Sequence, residues 1–95
     1  MPEMRFLIRW PDGVEVSCYS PSLVIKDYFV LGASYPLADF LQRSRTALHI
    51  ASDRVEAKYG MPCSRALGQL DDIEVRARRF ADTPAAIVTC IAFVE

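Results

Sequence analysis

Residues 4 to 10 alternate. Met4, Phe6, Ile8 and Trp10 fall on one side of an extended chain, and Arg5, Leu7 and Arg9 on the other. A period of two in residues that favour strands predicts a half-buried β-strand. Pro11-Asp12-Gly13 follows: the proline presets φ, Asp suits the next turn position and Gly accepts φ > 0. Val14, Val16 and Cys18 then alternate with Glu15, Ser17 and Tyr19, so the segment predicts a β-hairpin. Ser20-Pro21-Ser22 ends it. Ser20 can cap a helix whose first residue is Pro21, and Ser22 competes for that role. Leu23 to Tyr28 would form a short helix, although β-branched Val24 and Ile25 leave a non-helical reading open. Gly32 breaks the segment.

From Pro36 to Tyr59 the spacing becomes helical. Leu37, Phe40, Leu41, Ser44, Ala47, Leu48, Ala51, Val55 and Tyr59 recur at helical spacing, giving one apolar stripe. Ser34 is the expected N-cap, and Gly60 the left-handed residue that ends the helix. Pro62 opens a second helix to about Phe80, with the stripe Ala66, Leu67, Leu70, Ile73, Ala77 and Phe80. Asp71, Asp72 and Glu74 precede Arg76, Arg78 and Arg79, an order that favours the helix dipole. After the turn Asp82-Thr83-Pro84, Ala85 to Val94 is a β-rich run, apolar on both faces. The predicted order is ββαααβ: an α+β fold whose three-stranded antiparallel or mixed sheet joins the hairpin to the C-terminal strand. Two longer helices and one short helix pack on it. Phe6, Ile8, Phe40, Leu48, Leu67, Leu70, Ile91 and Phe93 form the expected core. The outer side of the last strand (Val88, Cys90, Ala92 and Val94, or their alternates) would then lie exposed beside Leu7.

Ninety-five residues are the size of one domain, spanning 1–95. A content of 52% hydrophobic and 24% charged residues suits a folded globular chain, and a net charge of −1 gives no pull toward nucleic acid or anionic membrane. The longest apolar runs fall short of a membrane span, and Met1-Pro2-Glu3-Met4-Arg5 does not read as a signal peptide. Three widely spaced cysteines suit free thiols in a reducing, cytoplasmic compartment better than a disulfide framework.

Several strings, taken in order, carry a resemblance over nearly the whole chain: Arg9-Trp10-Pro11-Asp12-Gly13, Cys18-Tyr19-Ser20-Pro21-Ser22, Ser34-Tyr35-Pro36-Leu37-Ala38-Asp39-Phe40, Arg43-Ser44-Arg45-Thr46-Ala47-Leu48, Lys58-Tyr59-Gly60 and Cys63-Ser64. Together they resemble a family of short bacterial nitrogen-starvation-response proteins. The genes of that family lie beside those for a nitrilase, a radical-SAM protein, an acetyltransferase-like protein and a flavin oxidoreductase. The resemblance implies a bacterial cytoplasmic protein of nitrogen acquisition, with nitrile or cyanide nitrogen as the source. It brings no catalytic residues with it.

Candidate chemistry is sparse. Cys18, Cys63, Cys90 and His49 lack the close cysteine pair of a structural zinc site, so neither a metal nor another cofactor is expected. Cys63 begins a helix, where the dipole can activate a thiol, but the sole histidine, His49, falls on the polar side of the long helix. Arg43 and Arg45 stand about 200° apart on that helix and cannot converge on one anion, and one of them can pair with Asp39. Tyr19, Ser20 and Ser22 place hydroxyls at a strand-to-helix junction whose free N–H groups can meet an anion, although the glycines of a phosphate loop are missing. The chain therefore reads first as a non-catalytic accessory protein, binding a second copy or an enzyme of its gene cluster. The alternative is a small-molecule binder or small enzyme using Ser20–Ser22 with Tyr19 and Lys26, Arg43, Arg45 or Cys63.

Overall fold

The computed structural model describes residues 2–95. Its elements are β1 (Met4–Arg9), β2 (Glu15–Ser20), α1 (Ile25–Tyr28), β3 (Ser34–Pro36), α2 (Leu37–Tyr59), α3 (Ser64–Arg78) and β4 (Ile87–Val94). The fold is α+β, but the sheet has four strands, in the order β2-β1-β4-β3, and every pairing is antiparallel. The added strand is Ser34–Pro36. Ser34 pairs with Thr89 instead of capping α2, and Pro36 stands at the N-cap position. Proline is tolerated here because β3 is an edge strand with no partner on its other side.

The hairpin turn closes with Trp10 N–H donating to the Val14 carbonyl and Gly13 N–H to that of Trp10. A second irregular turn aims β3. Gly32, at φ +80°, donates to the Cys90 carbonyl, and Cys90 N–H donates to that of Ala33. Two residues thus oppose one, a β-bulge with glycine at its left-handed position.

The helices lie on one face of the sheet. Met4, Phe6 and Ile8 of β1, Cys18 of β2, Tyr35 of β3 and Val88 and Cys90 of β4 meet Phe40, Ala47 and Leu48 of α2 and Ala66, Leu70, Ile73 and Ala77 of α3. Ile25 and Phe29 close the end of this core. Phe29 links three rings, with centroids 6.1 Å from Phe6, 5.4 Å from Tyr35 and 5.5 Å from Phe40, all within the range of favourable ring pairs.

Two expected core residues, Leu67 and Ile91, are placed differently. Leu67 is exposed, because the buried stripe of α3 runs through Ala66, Leu70, Ile73 and Ala77 and leaves Leu67 at its margin. Val88 and Cys90 point inward, whereas Ile91 is only half-buried. The cause is a break in register: Ile8 faces Cys90 while Leu7 faces Ala92, so Ile91 is an extra residue. One extra residue inverts a period of two, which returns Phe93 to the core side opposite Phe6.

The helix limits also shift. α1 starts at Ile25, so neither Ser20 nor Ser22 is its N-cap. α3 starts at Ser64 with no acid in its first turn, so Asp71, Asp72 and Glu74 lie too far along to complement the dipole. Arg76 and Arg78 do occupy the last turn.

Candidate functional site

The hydroxyls of the β2–α1 junction are turned inward. Ser20 Oγ donates to the Ser22 carbonyl at 2.7 Å and accepts from Ser22 N–H. Ser22 Oγ accepts from Val24 N–H and, at 2.9 Å, from Arg54 Nη1 of α2. Both serines are buried. They brace the turn that side-chain hydroxyls favour, and α1, four residues long, is a single turn.

The other candidates go to separate partners. Lys26 pairs with Glu95 at 2.8 Å and Arg45 with Glu74 at 2.9 Å. Arg43 pairs with Asp39, donates to the Tyr28 carbonyl at 2.8 Å and lies 4.8 Å from the centre of the Tyr35 ring. Cys63 is the N-cap residue of α3, and its N–H donates to Ser52 Oγ, whose buried hydroxyl holds the α2–α3 corner. His49 is exposed, as its helical position predicts. Among the described residues no group of three His, Cys, Asp or Glu side chains is placed to hold a metal ion.

What the residues alone did not reveal is a groove along the free edge of β2. Arg65 of α3 covers the Tyr19 ring at 3.9 Å, and Gln69 Oε1 accepts from Tyr19 N–H at 2.9 Å. Burial raises the Tyr19 phenol above its usual value, and Glu3 adds to the effect. Farther along, the strand and helix diverge around a space of about 290 Å³, lined by Ser17 and Cys18 on one side and by Asp72, Arg76 and Arg79 on the other. Trp10 lines the same space, and its buried indole N–H has no acceptor among the described residues. The row Gln69, Asp72, Arg76, Arg79 steps by three and four, so its shared face was legible in the sequence. Which strand that face would meet was not.

The second open feature is the outer face of the sheet, away from all three helices. Leu7 faces Ala92 across the β1–β4 pair, with Ile87 and Val94 at the two ends of β4. Ile87 is 49% and Val94 59% exposed, and Leu7 and Ala92 are half-buried. Among the described residues no helix is long and apolar enough to cross a membrane.

The family model described as nitrogen starvation-induced protein NitG matches residues 5–93. Neither a curated protein nor a solved structure matches the chain.

Proposed function

We propose a function from the premise that the chain belongs to the family of the nitrogen starvation-induced protein NitG: it is a non-catalytic accessory protein of that response, acting by association through the outer face of its sheet. The observation that carries this reading is the uncovered apolar surface of Leu7, Ile87, Ala92 and Val94 on the two central strands. Leu7, Ala92 and Val94 are neighbours in the register, and apolar surface of this kind usually marks a contact site. Its margin carries both charges, Arg5 and Arg9 beside Glu15. A two-fold axis can set such a mixed margin against itself, so a second copy is the proposed occupant. An enzyme of a nitrilase-containing gene cluster is the other protein that the family resemblance suggests. The three free cysteines support a reducing compartment, and we place the protein in the cytoplasm.

Sedimentation of the wild type against Val94→Lys tests this. Val94 is exposed within the monomer, so the variant should fold with an unchanged unfolding midpoint. The wild type should sediment as a dimer and the variant as a monomer. A wild type that is monomeric at high concentration overturns self-association, and a co-purifying enzyme would identify a different occupant.

A further inference from the structure

The groove between β2 and α3 lies apart from the proposed contact face and holds a charge arrangement without an internal use. Asp72 and Arg76 stand four apart on α3, a spacing at which acid and base commonly pair. Yet among the described residues the ion pairs involve neither Asp72, Arg76 nor Arg79. All three line the groove. One carboxylate is thus followed along the helix by two guanidinium groups, and their fields reach its floor. Burial dominates the Cys18 thiol and raises it, while Arg76 and then Arg5 lower it and Asp72 raises it to a smaller extent.

The strand side supplies main-chain groups. Tyr19 N–H donates to Gln69, so the main chain at Tyr19 faces away from β1. In an antiparallel pair the main-chain groups two residues along face the same way, which directs those of Ser17 toward the open edge. Gln69 and Arg65 occupy the Tyr19 end, so only a short stretch of edge remains open. That stretch is too short for an added strand and suits a compact ligand. Trp10, 2% exposed, lines the same space, and its buried indole N–H lacks an acceptor among the described residues.

We propose that this groove binds a small zwitterion of the free α-amino acid class. The ligand carboxylate is taken by Arg76 and Arg79, whose planar guanidinium groups match its two oxygens. The ligand ammonium is taken by Asp72 with the Ser17 carbonyl. A space of about 290 Å³ lies at the small end of ligand pockets, which suits a molecule of this size.

Trp10 is the only tryptophan, so its fluorescence reports on the groove directly. The intact chain is titrated with L-alanine, L-glutamate and L-glutamine, and separately with propionate and ethylamine, each of which carries one of the two charges. At least one amino acid should give a saturable change at millimolar concentration or below. Its affinity should fall about tenfold or more in Asp72→Asn and in Arg76→Gln. Arg79→Gln, at an exposed position, serves as a second cation variant if Arg76→Gln loses its fold. Val94→Lys should bind as the wild type does, which separates this test from that of association. Propionate binding as tightly as every amino acid would make this a simple anion site and overturn the zwitterion. Absence of saturation by fluorescence and calorimetry for the whole panel, or binding unchanged in the variants, would overturn the site itself.

Discussion

Arg43 shows how a candidate binding residue becomes a structural one. Its three contacts tie the end of α1, the ring of β3 and the first turn of α2 into one corner. The ion pair with Asp39 is half-exposed and contributes little, whereas a charged donor on a carbonyl and a guanidinium over a ring contribute more. Arg43→Ala should therefore lower stability by about 1–3 kcal/mol in a denaturant titration. Arg43→Lys should recover only part of the loss, because an ammonium cannot make the fork and the ring contact together. Only the Asp39 contact was legible from spacing, since Tyr28 and Tyr35 are brought up by the chain's turn at Gly32. Cys18 makes the second residue-scale case. Burial pushes its thiol up from 9.0 to about 12. The unfolded thiol ionises first as pH rises, so stability conferred by the neutral buried form is complete below about pH 9 and is lost progressively toward pH 12. The loss is on the order of 3–4 kcal/mol at most. Cys18→Ala should flatten the fall in unfolding free energy across that window; an unchanged slope would show that other groups control it.

At the scale of elements, irregular positions decided what the regular ones could not. The hairpin and both long helices follow from periodicity, turn residues and Gly60, which takes the left-handed conformation at the end of α2. β3 was missed because three residues carry no readable period, and Ser34 before Pro36 imitates a helix cap. Its pairing depends on Gly32. A Cβ built there would meet nothing within 4 Å, so the cost of a side chain lies in the backbone alone. Gly32→Ala should destabilise by about 1–2 kcal/mol, the strain of an L-residue at this φ. A cost near zero in thermal unfolding would mean that the β3–β4 bulge rearranges. The bulge at Ile91 was equally hidden. In a run apolar on both faces, parity is the only guide to orientation, and one extra residue reverses it.

At the scale of the whole molecule, the layer of helices covers one side of a four-stranded sheet and leaves the other side to solvent or a partner. Several features follow from the sequence by itself: the α+β class, the adjacency of the first and last strands, most of the inner core and membership of the nitrogen-starvation family. They rest on patterns repeated over many positions, or on strings long enough to be specific. Other features were decided only by tertiary structure: the inward turn of Ser20 and Ser22, the partners of Lys26, Arg43 and Arg45, and the placing of Asp72, Arg76 and Arg79 along the β2 edge. The physical reason is one of range. Local sequence fixes which face of an element is apolar, but a polar side chain takes whichever partner the packing of distant elements brings within hydrogen-bond reach.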